Sequence, residues 1–78
     1  IELENAIFAS LSSTGTLAAG SFRSGAAVVA ADGDDFILYD TASGALSYDA
    51  DGNGAGAAVP FATLGIGLAL SSADFLVT

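Results

Sequence analysis

The chain has 78 residues, with nine carboxylates, a single arginine, no cysteine and no histidine, for a net charge of −8. Disulfides and thiolate zinc sites are therefore excluded, and the commonest general base and transition-metal ligand is absent. Phosphate recognition needs Lys and Arg, so the charge argues against nucleic acid and against an anionic membrane surface.

A single domain of this size buries only about 60% of its unfolded surface, which leaves stability dependent on a thin core, a metal or a partner. Hydrophobic residues make up 53% of the chain, but 17 of them are alanine, so the core rests on Leu, Phe, Ile, Val and two Tyr. The longest uncharged run, 52–73, is broken by glycines and Pro60 and does not read as a membrane-spanning helix. No basic segment leads into an apolar run at the start, so no N-terminal signal peptide is expected, and the first residue is Ile1 rather than Met. The expectation is a piece of a longer protein.

In chain order, Ile1–Leu3 alternates like a short strand. Asn5 is positioned to cap a helical turn over Ala6–Leu11, with Ile7, Phe8 and Leu11 on one side. Ser12–Thr16 reads as loop and Leu17–Phe22 as one helical turn anchored by Leu17 and Phe22. Ser24–Ala31 is small and apolar, with Val28–Val29 a short strand candidate, and Asp32–Asp35 is a turn.

Next comes the segment around which the chain is arranged, FILYDTASGALSYDADGNGAG at Phe36–Gly56. It predicts a hairpin of strands Phe36–Asp40 and Ala45–Asp49, with Gly44 supplying the positive φ of the turn. Four successive apolar residues, Phe36–Tyr39, predict a strand covered on both faces. Ala57–Leu64 reads as a further strand in which Pro60, lacking an N–H, belongs at an edge or a bulge. Gly65–Gly67 connects to Leu68–Leu70. Ser71 or Ser72 then caps one turn through Asp74, and Phe75–Val77 is the last strand.

Two segments echo each other without a gap: FASLSSTGTLAAGSF at Phe8–Phe22 and FATLGIGLALSSADF at Phe61–Phe75. Phe8, Leu11, Leu17 and Phe22 match Phe61, Leu64, Leu70 and Phe75, which suggests two similar anchoring units or a coincidence of composition. These eight residues, with Ile37, Leu38, Tyr39 and Leu46, are the expected core. The expected fold is mainly β: a small β-sandwich or β-roll-capping domain, 1–78, with a central hairpin and single-turn helices.

Chemistry concentrates in acidic loops. Asp49, Asp51 and Asn53 alternate ahead of Gly54 as in the first half of an EF-hand loop, with the Ala55 carbonyl as a further donor. The twelfth position is Pro60 rather than Glu, so the bidentate ligand is missing and further oxygens must come from water or from Asp40 at the end of the partner strand. The competing reading is an Asx-turn loop whose side chains accept backbone N–H bonds. Gly33, Asp35 and Ile37 form one degenerate copy of the second half of the nonapeptide G-G-x-G-x-D-x-U-x, which reads either as a calcium ligand at Asp35 or as a solvated turn. Catalytic residue sets are not visible, and no enzymatic activity is expected of this chain.

The run DDFILYDTASGALSYDADGNGAGAAVPFATLGIGLALSSADFLVT resembles the C-terminal domain of RTX, or hemolysin-type calcium-binding, proteins, and IELENAIFASLSSTGTLAAGSF is similar to the segment that follows their β-roll. The most specific parts are Tyr39–Gly52, Gly54–Val59, FATL at Phe61–Leu64 and DFLV at Asp74–Val77. The resemblance implies a secreted, extracellular protein of a Gram-negative bacterium. It also implies an uncleaved signal near the C-terminus, read on the unfolded chain by a type I ABC exporter, with calcium as cofactor and upstream repeats as partner. An array of nonapeptide repeats is not found in this sequence, and by the resemblance it belongs upstream. The alternative is a free-standing calcium-dependent adhesin or carbohydrate-binding module.

Overall fold

In the computed structural model, which describes residues 1–8, 10, 11, 14–26, 28–30, 33, 35–52 and 58–78, the apolar run Phe36–Tyr39 becomes the centre of a sheet. Strand β4 (Ile37–Asp40) pairs in parallel with β3 (Phe22–Gly25) and antiparallel with β5 (Ala45–Tyr48). β5 pairs with β6 (Val59–Thr63), so the order is β3-β4-β5-β6 and the expected hairpin supplies the two inner strands. Ile37, Leu38 and Tyr39 are all buried, as a strand covered on both faces requires.

A second sheet holds β1 (Glu2–Leu3), β7 (Leu76–Val77) and β2 (Gly15–Thr16), with β7 in the middle. Leu3 and Val77 pair side by side and are buried, whereas Glu2, Leu76 and Thr16 are exposed. Both sheets face one core, in which Leu3 and Val77 meet Leu11, Leu17, Ile37, Tyr39, Leu46 and Phe75. Fully burying one such side chain is worth about 1.5–3 kcal/mol, so these few residues carry most of the stability. Among the described residues helix is limited to two 3₁₀ turns, Ala19–Ser21 and Ser72–Asp74, and the protein is mainly β as expected.

The echo in the sequence has a structural counterpart. The two 3₁₀ turns occupy equivalent positions of the two segments. Each is followed by an extended Phe, Phe22 at φ −121°, ψ 136° and Phe75 at φ −118°, ψ 138°. The equivalent rings meet, Phe22 with Phe75 at 5.1 Å between centroids and Phe8 with Phe61 at 5.0 Å. The likeness fades at the other end, where Phe61 lies in a strand and Phe8 in a turn.

Several local expectations are corrected. Where a helical turn over Ala6–Leu11 was expected, the described residues turn at Glu4–Phe8, with Ile7 and Phe8 N–H both donating to the Glu4 carbonyl at 3.0 and 2.9 Å, and Ile7 is left 70% exposed. Val28–Val29 is not a strand; the strand forms earlier, at Phe22–Gly25, because β4 offers its free edge there. Gly15–Thr16, read as loop, becomes β2 because β7 needs a partner on its second edge. Phe61, expected in the core, is 38% exposed. The pairing slips between Leu46↔Ala62 and Ser47↔Pro60, so Phe61 is the extra residue of a bulge on an edge strand. Pro60 sits at that same bulge and edge, where its missing N–H removes little from the ladder.

The closed end of the hairpin is clasped from outside. Gly44 sits at φ +76°, its N–H donates to the Asp40 carbonyl at 2.8 Å, and its own carbonyl accepts the Leu64 N–H at 2.7 Å. The Tyr39 hydroxyl donates to the Gly65 carbonyl and accepts the Leu68 N–H at 3.1 Å. A Cβ on Gly44 would lie 2.1 Å from the Leu64 carbonyl oxygen, whereas one on Gly67, at φ +66°, meets nothing within 4 Å. Gly67→Ala should therefore cost only the left-handed backbone penalty of about 1–2 kcal/mol. Gly44→Ala should cost clearly more, because the 64–67 connector must also move. Chemical denaturation of the two variants checks the difference, and equal losses would show that the clasp yields freely.

Candidate functional site

The open end of the hairpin gathers the acidic residues. The ladder closes where the Asp49 N–H donates to the Phe36 carbonyl at 2.8 Å. The chain then turns back, the Gly52 N–H donating to the Asp49 carbonyl at 3.2 Å with Gly52 at φ +62°. This turn sets the Asp51 carboxyl beside that of Asp49. Asp51 is exposed, but Asp49 is only 6% exposed, and its Oδ1 has no hydrogen-bond partner. Burial first, and then the adjoining Asp51 carboxyl, push Asp49 above the usual carboxylate range; the Asp51 backbone N–H, which favours the charged form, offsets this in part.

Phe8 and Ser10 pack against this end and act as a strap. The Ser10 N–H donates to the Tyr48 hydroxyl at 3.0 Å, the Ser10 hydroxyl donates to the Ala50 carbonyl, and the Phe8 ring stands edge-on to Tyr48 at 5.0 Å. Ser10 thus reaches the residues on either side of Asp49. Sequence reasoning missed this strap, and no motif signals it, since its partners are 38 and 40 positions away.

The remaining ligand candidates are distributed as follows. Asp35 is buried, 4% exposed, just ahead of β4 on the strand that faces Asp49 and Ala50. Asp40 lies at the opposite, closed end of the hairpin, four residues of β5 away from the Asp49 end, or about 13 Å along the strand. Its Oδ1 accepts the Ala42 N–H at 2.9 Å and the Ser43 N–H at 3.4 Å, so it caps the turn instead of joining the loop. The antiparallel register separates these two ends, as the predicted hairpin already implies. Asn53 and Ala55 fall outside the described residues. Among the described residues no three acidic side chains converge on one point.

Between the sheets, beside the strap, opens a cleft of about 210 Å³ lined by Ser10, Leu11, Thr16, Leu17, Phe36 and Val77 among others. Its lining is hydroxyl and apolar, without a titratable side chain. No known protein family, curated protein or solved structure matches the chain.

The raised Asp49 carboxyl makes stability depend on pH. The folded form holds its proton more tightly than the unfolded chain does at 3.8, so this group's contribution is full below 3.8 and is lost as pH rises through the folded value. At neutral pH in chelator, Asp49→Asn should raise the melting temperature, and the gap to the parent should close as the pH falls toward 4. A gap independent of pH would mean that the ionised carboxylate is not what the fold resists.

Proposed function

We propose that the chain acts as a C-terminal export and capping domain of the RTX, hemolysin-type class. A type I exporter reads it while unfolded, and it folds outside the cell at the end of upstream calcium-binding repeats. The observation that carries this reading is the position of the tail. β7 is the middle strand of its sheet, and Phe75 and Val77 are 1% and 3% exposed. The Asp74 carboxylate accepts the Ser71 N–H at 2.8 Å in a capping box ahead of that strand. In the acidic residue followed by terminal hydrophobics, the pattern that resembles a type I signal, folding thus closes off Phe75 and Val77 and leaves Asp74 and Leu76 exposed. An exporter has access to the whole pattern only before the domain forms.

Two further features support the reading. With nine carboxylates against one arginine, the compact state repels itself, which favours the unfolded chain where divalent cations are scarce. The first strand lies beside the last, the Leu76 N–H donating to the Ile1 carbonyl at 2.7 Å, and both side chains are exposed, 49% for Ile1 and 44% for Leu76. A preceding segment entering at Ile1 meets an apolar surface on which to stack. The alternative, a calcium-dependent adhesin or carbohydrate-binding module, draws on the exposed Val59 and Phe61 of edge strand β6.

Joining Ile1–Thr78 to the C-terminus of an unrelated passenger separates the two. The export reading expects passenger in the medium only when a type I apparatus is co-expressed. Full-length fusion retained in the cells despite a working apparatus would defeat it, and glycan binding by the purified chain would favour the alternative.

A further inference from the structure

We propose that the exposed apolar surface formed by Val59 and Phe61 of edge strand β6, together with Ile7, docks a positively charged amphipathic helix of a partner polypeptide. The inference rests on this surface and the charge around it, and does not depend on the export reading.

Strand β6 is exposed along most of its length. Val59 is 62% and Phe61 38% exposed, Pro60 between them is exposed as well, and Ile7 is 70% exposed. Ile7 joins the strand through its neighbour Phe8, whose ring stands 5.0 Å from that of Phe61. Val59 and Phe61 are about 7 Å apart along the strand. Large apolar side chains gathered on a surface in this way mark an interaction site. Edge strands are ordinarily guarded by charged side chains, but β6 lies inside the uncharged run 52–73 and carries none.

The occupant follows from backbone and charge. Pro60 has no N–H to offer, and the bulge at Phe61 breaks the register, so the edge is ill suited to take on a further strand from any chain. Contact falls to side chains, and a helix with an apolar stripe presents side chains without needing an edge. The rim is acidic. Glu4, whose carbonyl accepts the Ile7 N–H, is exposed, and so is Asp51, just past the Tyr48 that pairs with Val59. Arg23, the single basic residue, is on β3 at the opposite edge of the sheet, three strand spacings or about 14 Å away. A second copy of this chain would bring another net charge of −8 against the same rim. Lys or Arg flanking the apolar stripe of a partner would instead complement it, fixing orientation and speeding the encounter.

The test is an amide NMR titration of the 78-residue chain with a synthetic helical peptide carrying leucine on one face and lysine on the other. Its controls are the same peptide with glutamate for lysine, and one of the same composition in scrambled order. The expected result is saturable shifts at Ile7, Val59, Phe61 and Ala62 with the ordered lysine peptide alone, weakening as sodium chloride is raised. Val59→Ser and Ile7→Ser, both at side chains exposed in the free chain, should keep the folded spectrum and each weaken binding about tenfold. Val29→Ser, at a side chain 72% exposed on the connection between β3 and β4, should leave the affinity unchanged. Glu4→Gln combined with Asp51→Asn should flatten the salt dependence. Shifts that fail to saturate, or equal binding of the glutamate or scrambled peptide, would overturn the choice of partner. Val29→Ser weakening binding as much as Val59→Ser would overturn the surface, and an unaltered salt dependence in the double variant would overturn the acidic rim. Concentration-dependent dimers in sedimentation, with the same residues shifting in the absence of peptide, would assign the surface to a second copy and overturn the proposal.

Discussion

Strand β4 is the constraint on which the rest of the structure depends. It is paired along both edges and covered on both faces, so Ile37, Leu38 and Tyr39 lose nearly all their exposure together. A strand in that position requires a neighbour on each side. β5 is supplied by a short turn, but β3 runs parallel to β4 and must be delivered by a connection spanning 26–36. Much of the chain before the hairpin is therefore committed to supplying that partner and the second sheet. Tyr39 extends the constraint beyond the sheet, because its ring lies in the core while its hydroxyl holds the 65–68 connector by two hydrogen bonds.

The second sheet closes the molecule by joining the two ends of the chain. β1 and β7 lie in parallel, 73 or more positions apart in sequence, and β2 completes the sheet from the other side. The Phe22–Phe75 and Phe8–Phe61 contacts bind the two similar segments to each other. Contacts of such sequence separation carry a loop-closure cost that nearer contacts do not. This coupling buries Phe75 and Val77 through partners from the other end of the chain, while Asp74 and Leu76 stay exposed.

The two ends of the hairpin treat their aspartates in opposite ways. At the closed end Asp40 is half-buried and its oxygen accepts two backbone N–H groups, an arrangement that stabilises both the charge and the turn. At the open end Asp49 is nearly inaccessible, faces another carboxyl and retains an unbonded oxygen. Tension of this kind is expected where a fold is arranged around something other than its own stability. Ser10 lies at this end, bonded to the residues on either side of Asp49.

Local chemistry by itself determined a good deal. Alternation and turn residues placed the hairpin to within a residue at each strand end, because Gly44 and the run Phe36–Tyr39 act through neighbours close in sequence. Pro60 marked its own strand as an edge for the same reason, since a missing N–H is a property of the residue. Ser71 and Asp74 form their cap within four residues. Tertiary structure decided what depends on distant partners: that Phe22–Gly25 and Gly15–Thr16 are strands, that Phe61 is the surplus residue of a bulge, and that Ile7 faces water. It also sorted the acidic residues. The predicted hairpin already implies that Asp40 and Asp49 lie at opposite ends, but only the packed fold buries Asp49 while leaving Asp51 exposed. Burial and register are set by what lies across the sheet, and that information is not local to any stretch of the chain.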